Sequence, residues 1–297
     1  MEKPTFSQRM KSLGLFLWNG ETKEFLGRGG RSWAEIGLFY LVFYACLSGF
    51  FIATIAVFYE TIDADNPRLQ GESSLLKGNP GMGYQPMPDI DTTLIYARTS
   101  EEDTKAYVKS INKVLDAYKN ESLNRVNCSD LTQPRTDSDK ACNFDFANLT
   151  QECNEENGYG FKHGQPCILL KLNKIFGWIP SIWDEKDVSD VPKVIKDVYL
   201  SDRIWVQCHG ENPADEDNLG DKDQIKYFPQ QGFPLGYYPF KKQLDYLPPL
   251  IFVKFSNVTH YTGIMVECQA FGKNIALDRS ERQGSVHFEL LVEPSNK

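Results

Sequence analysis

The chain has 297 residues, 32 basic and 40 acidic, for a formal net charge of −8, and it contains seven cysteines. It is long enough for a substantial core, and its acidic balance argues against a nucleic-acid partner. It also contains no Gly-x-Ser-x-Gly elbow, His-Glu-x-x-His pair, phosphate-binding loop or dinucleotide fingerprint, which leaves the enzyme classes built on those motifs without support.

Residues 1–35 carry six basic residues (Lys3, Arg9, Lys11, Lys23, Arg28 and Arg31) and four acidic ones. Gly27, Gly29 and Gly30 are expected to break any long helix here, while Phe16, Trp18, Phe25 and Trp33 supply rings suited to a membrane surface. The next stretch, Ile36 to Tyr59, lacks Asp, Glu, Lys and Arg altogether. As a helix it would extend roughly 36 Å, more than the hydrocarbon core of a bilayer. It is too long for the apolar part of a cleaved signal sequence, and no second apolar segment of similar length is present to bury it.

Glu60, Asp63 and Asp65 are the first charges beyond the span. Basic residues stay on the cytoplasmic side, so residues 1–35 are expected inside, 36–59 in the bilayer, and the rest outside as a type II membrane protein in contact with lipid. The outer part then carries a net −10. Within the span, Tyr40, Phe43, Tyr44, Leu47, Phe51 and Phe58 fall on one face, with Ala45, Gly49 and Ala53 nearly opposite. Tyrosine hydroxyls at membrane depth need partners and a row of small residues admits a close neighbour, so a companion membrane protein is one reading; interfacial tyrosines are the other.

Residues 60–88, rich in Pro, Gly and Asp, read as an irregular extracellular stalk, with a globular domain over 89–297. A helix is expected over roughly 101–118, where Tyr107, Val108, Ile111, Val114, Leu115 and Tyr118 recur at helical spacing. Short apolar or alternating runs follow at 167–172, 250–255, 264–268 and 286–292, the last with Val286, Phe288, Leu290 and Val292 facing inward together. The expected fold is an antiparallel β-sandwich with an inserted helix. The acidic stretch from Gly210 to Phe228 reads as an exposed loop.

Six cysteines lie beyond the span: Cys128, Cys142, Cys153, Cys167, Cys208 and Cys268. In an oxidising compartment they read as three disulfides; fifteen connectivities are open and sequential pairing is the simplest. N-x-Ser/Thr sequons occur at Asn120, Asn127, Asn148 and Asn257, all on the expected outer side. His163 with Cys167 and Cys208 with His209 could be imagined as zinc ligands, but disulfides account better for those cysteines outside the cell; no metal, cofactor or catalytic residue is expected. The DEDNLGDKD run lacks calcium-loop spacing. Asp63-x-Asp65 and Asp89-x-Asp91 match the letters of a glycosyltransferase metal motif, though in or beside the stalk.

Several longer motifs carry a family resemblance. Trp18-Asn19, FLGR at Phe25 to Arg28, Ser32-Trp33 before the span and FYLVFY at Phe39 to Tyr44 are joined by GQPCILLKLNKIFGW (Gly164 to Trp178), GFPLGYYPF (Gly232 to Phe240) and CQAFGKNIA (Cys268 to Ala276). Together they resemble the β subunits of the sodium/potassium-transporting ATPase and the related proton/potassium pump. The resemblance implies a non-catalytic subunit that pairs with the catalytic α subunit of a P-type ATPase, assists its folding and plasma-membrane delivery, and modulates potassium affinity. It also implies an immunoglobulin-like ectodomain, sequential disulfides and an α-subunit interface formed by Tyr40, Phe43 and Tyr44 in the span and by Tyr237, Tyr238 and Pro239 outside. It leaves room for a small single-span regulatory subunit and for a role in cell adhesion. After Pro239 this chain has Phe240-Lys241-Lys242 where the family has Tyr-Tyr-Gly.

Overall fold

The computed structural model describes residues 6–75, 78–120, 122–135, 139–184, 187–280 and 283–293. The chain divides into two compact units, Met1–Arg68 and Leu69–Lys297.

In the first unit, α1 (Phe6–Leu17) leads into a two-stranded hairpin of β1 (Trp18–Asn19) and β2 (Glu24–Phe25), and then into the 31-residue helix α2 (Gly30–Glu60). The Asn19 side chain accepts a hydrogen bond from the backbone N–H of Glu21, which shapes the hairpin turn. Trp33 donates its indole N–H to the Phe25 carbonyl at 2.9 Å and the two rings lie 5.8 Å apart, which fastens the hairpin to the start of the long helix. The glycines do not keep Gly30 out of the helix: Gly29 is its extended N-cap residue and Gly30 its first residue. A polar turn, with Arg31 and Glu35 paired at 3.1 Å, therefore precedes the apolar run. No residue of α2 is buried within the protein. A side-chain set this apolar has no internal core to join, so lipid or another protein must cover it.

The second unit is a sandwich of two sheets. Its strands are β3 (Met82–Gln85), β4 (Leu94–Arg98), β5 (Arg125–Val126), β6 (Ala141–Cys142), β7 (Cys167–Leu172), β8 (Arg203–Gly210), β9 (Ile225–Phe228), β10 (Phe233–Pro234), β11 (Leu250–Phe255), β12 (Gly263–Phe271) and β13 (Ser285–Glu293). One sheet runs β10-β8-β12-β13-β4 and the other β3-β7-β11-β9, while β5 and β6 form a separate short pair. The chain repeatedly crosses from one sheet to the other, so the two inner faces are built from interleaved segments. Pairing within the two large sheets is antiparallel except that β4 joins β13 in parallel, and the short β5–β6 pair is also parallel. No hairpin connects β4 to β13, so nothing local forces the direction of that pair.

The core lies between the sheets. Phe288, Leu290 and Val292 of β13 are buried and Val286 packs against them, so the alternation in the sequence does set the inward face. Phe288 packs on Tyr84 and Phe255, with ring centres at 5.2 and 6.1 Å, linking β13 to the opposite sheet through β3 and β11.

The helix α3 (Glu101–Lys119) buries Ile111 and Leu115 completely. It also covers sheet edges. The Tyr107 hydroxyl accepts from the backbone N–H of Tyr96 in β4, and Ser110 donates to the Gln85 side chain at the end of β3. Since β3 and β4 are the outermost strands of their sheets, α3 caps the open side of the sandwich, where an unpaired edge would otherwise invite another strand.

Two stretches differ from the sequence reading. Met82 and Tyr84, inside the segment read as stalk, are buried inward residues of β3. The stretch Gly210–Phe228 is not merely an exposed loop: it contains α5 (Pro213–Leu219), the next helix after the single turn α4 (Phe146–Leu149), and then β9. Asn212 caps α5 by accepting from the N–H of Asp215, Pro213 occupies the first turn, and Leu219 is buried. A Cβ at Gly210 would lie 2.2 Å from the Glu216 nitrogen, so only glycine lets α5 lie this close to β8.

Replacing Phe288 by Ala removes the ring that joins the sheets and is expected to destabilise the outer domain by about 3 to 5 kcal/mol. A urea titration of the detergent-solubilised chain, followed by tryptophan fluorescence, measures it.

Candidate partner interface

The disulfides fix the framework first. Cys128 pairs with Cys142, Cys153 with Cys167, and Cys208 with Cys268. The third joins directly opposed residues of neighbouring strands β8 and β12, within one sheet. The second joins Cys153 to Cys167 at the start of β7 and encloses the tight turn Gly158–His163, where Gly160 sits at φ +76° against the Gln165 carbonyl, a position no Cβ could share. The first closes a loop around Arg135, whose guanidinium lies 3.1 Å from both sulfurs and donates to the Lys140 carbonyl.

That first loop leans on the Gly236-Tyr237-Tyr238-Pro239 motif. The Gly236 N–H donates to the Leu131 carbonyl at 2.9 Å, and a Cβ there would meet the Leu131 Cα at 2.7 Å. Arg135 donates its backbone N–H to the Tyr238 carbonyl, and the Tyr237 hydroxyl donates to the carbonyl of Asn143. Tyr237, Tyr238 and Pro239 are therefore buried, within an aromatic network. Tyr118 meets Phe144, Phe144 meets Tyr237, Trp178 meets Tyr238 edge-on at 5.6 Å, and Phe240 packs on Tyr246 at 4.9 Å. Lys174 rests over both the Phe240 and Tyr246 rings, at 5.3 and 5.8 Å. The motif thus holds in place the surface formed by partly exposed Phe240 and exposed Lys241 and Lys242. The Tyr238 hydroxyl and the Trp178 indole N–H are buried without a hydrogen-bond partner among the described residues.

The span carries the other candidate residues on a single face. Tyr40, Phe43 and Tyr44 are each about half exposed, and the Tyr40 and Tyr44 rings stack at 5.9 Å, as i, i+4 neighbours can. The span and the Tyr237–Pro239 motif belong to separate compact units.

Asn120, Asn127, Asn148 and Asn257 are all exposed. Asn148 alone among them donates its side-chain N–H, the group a glycan would modify, to a carboxylate: Asp145, at 2.6 Å. Among the described residues no group of three or more His, Cys, Asp or Glu side chains is placed to hold a metal ion. Cys167 and Cys208, considered beside His163 and His209, are both consumed in disulfides. Asp63 and Asp89 each accept the N–H two residues on, at Asp65 and Asp91, so both Asp-x-Asp matches are exposed local turns.

A family model described as "Sodium / potassium ATPase beta chain" matches residues 3–288. The chain belongs to the sodium/potassium ATPase β-chain family. The sodium/potassium-transporting ATPase subunit beta-2 of Drosophila melanogaster is 36% identical over 98% of this chain and 95% of its own length. The probable sodium/potassium-transporting ATPase subunit beta-3 of Caenorhabditis briggsae is 37% identical over 94% of this chain and 86% of its own. The human subunit beta-2 is 29% identical over 98% and 97%. As a β chain the protein is non-catalytic. It is a single-pass type II membrane protein, with α2 as its span and the β-rich domain extracellular. Membership also places a partner subunit in the same membrane.

Burial raises the pKa values of the motif's tyrosines: Tyr237 is pushed up to about 12 by desolvation, and Tyr118, Tyr238 and Tyr246 are also raised, mainly for the same reason. The folded chain therefore keeps protons that the unfolded chain releases above about pH 10. Stability is full below that pH and declines as pH rises toward the folded values, by up to about 1.4 kcal/mol per pH unit for each group. Urea midpoints are expected to be level from about pH 7 to 9 and to fall above about pH 10, with a shallower fall in Tyr237→Phe and Tyr246→Phe.

Proposed function

We propose that this chain is the β subunit of a sodium/potassium-transporting P-type pump, bound to the pump's catalytic α subunit. It assists the folding and plasma-membrane delivery of that subunit and modulates its potassium affinity. The single observation that carries this reading is the family match across almost the whole chain, span included.

The span supports it physically. Tyr40, Phe43 and Tyr44 form the face that meets a membrane helix of the α subunit. Two hydroxyls in hydrocarbon need acceptors, and a neighbouring helix supplies them where lipid tails do not. Outside, Tyr237, Tyr238 and Pro239 take part from beneath the surface, seating Phe240, Lys241 and Lys242, which meet the α subunit's outer loops. Phe240 has no hydroxyl where relatives have tyrosine, so that contact rests on ring packing and on the two lysines. Residues 1–35 stay cytoplasmic, 36–59 cross the bilayer, and the segment after Glu60 links the span to the outer domain.

Replacing Tyr40 and Tyr44 together by Ala is expected to lower the amount of α subunit that co-purifies in mild detergent, or to shift potassium activation of the pump, with the outer domain still disulfide-bonded. The check is quantitative co-purification alongside a potassium titration of ATPase activity. Unchanged assembly and unchanged potassium response would remove this face from the interface; a wild-type chain with no large membrane subunit attached would sink the whole reading.

A further inference from the structure

A groove of about 650 Å3 runs between α3 and the turn Gly158–His163. Lys105, Lys109 and Lys113 line one wall at i, i+4 spacing, which puts their ammonium groups on one helix face about every 6 Å. Lys162 contributes from the turn, its methylenes laid over Gly158, where a Cβ would come within 3.0 Å of the Lys162 Cγ.

Two carboxylates line the same groove, Asp116 and Glu155, but both are engaged elsewhere. Lys119 holds them at 3.0 and 3.9 Å, and Glu155 also accepts from the Asn112 side chain at 2.7 Å. Among the described residues, none of the four groove lysines has a carboxylate within ion-pair distance. The result is a concentrated positive strip on an acidic outer domain, a local field opposite in sign to that of the surface around it.

We infer that this groove binds a linear sulfated polysaccharide. A row of separate ammonium point charges matches regularly repeated sulfate groups along an extended chain. The lysine stems and Val108 give the flat faces of the sugars apolar contact. Acidic peptides are the less suitable occupants, because carboxylates are held best by the planar fork of arginine and, among the described residues, no arginine lines the groove. The surrounding negative charge repels a polyanion from the rest of the domain, so binding concentrates here. Among the described residues, none of those lining the groove is one assigned to the α-subunit interface.

The test uses the full-length chain in detergent with whatever subunit co-purifies, titrated with a heparin-derived oligosaccharide of defined length. The wild type is expected to bind at near-physiological salt, with affinity falling steeply as salt is raised. K105Q/K109Q/K113Q/K162Q is expected to lose at least about tenfold in affinity and to show a shallower salt dependence. K193Q/K196Q, two exposed lysines outside the groove, is expected to bind as the wild type does. Retained disulfides and retained subunit co-purification show that each variant is folded. No binding by the wild type, equal loss in both variants, undiminished binding by the quadruple variant, or stronger competition from a poly-glutamate peptide of matched charge would each overturn the proposal.

Discussion

Everything in this protein follows from a helix that buries nothing of its own. The residues from Ile36 to Tyr59 expose apolar side chains around their whole circumference, a cost in water that only a bilayer or a partner removes. Crossing the bilayer once, with the basic flank inside, delivers the remainder of the chain to an oxidising compartment. The three disulfides can form there, and the sequons can be modified there. One stretch without charge therefore decides topology, redox state and surface chemistry together.

The disulfides do different work in different parts of the domain. Where the sheets already hold the chain, as at Cys208 and Cys268, the bridge reinforces a cross-strand pair that backbone hydrogen bonds have aligned. Where they do not, the bridge substitutes for them. The loop from Cys128 to Cys142 has only the two-residue pairing of β5 with β6, and it is Arg135, the bridge and the Tyr237–Pro239 motif that give it a fixed shape. Closing such a loop restricts the unfolded chain, by roughly 3 kcal/mol in the chain-entropy account. That contribution matters most in a segment with little core of its own.

Much of this was legible in the amino-acid order, and what was not has physical causes. The span, α3 and the inward face of β13 rest on long periodic patterns, which a single sequence displays openly. The strand β3 was hidden because its alternation of Met82 and Tyr84 is interrupted by Gly83 and flanked by prolines, the usual marks of irregular chain. The helix α5 was hidden by its charge. Its start signals, Asn212 as cap and Pro213 in the first turn, were present in the letters, but an acidic run reads as solvated until Gly210 is seen to let the helix press against β8. The parallel docking of β4 on β13 could not be read at all, because it joins residues almost two hundred positions apart and no turn connects them. The lysine groove escaped for a related reason: Lys162 reaches the row on α3 only through the fold.

The buried position of the Tyr-Tyr-Pro motif changes what such a motif means. Residues recognised by their likeness to a family's contact region are naturally read as touching the partner, yet Tyr237 and Tyr238 spend their rings on Phe144 and Trp178, and the Tyr238 carbonyl accepts from Arg135. On the proposed reading, their effect on a neighbouring protein passes through the rigidity they give to Phe240 and the lysines beside it. Such coupling makes surface recognition depend on core stability: loosening the first disulfide loop frees Tyr238, and freeing Tyr238 releases the chain that follows Pro239. If the protein works as proposed, by holding a larger neighbour, it gains from that arrangement, because only a correctly bridged and folded domain presents the contact.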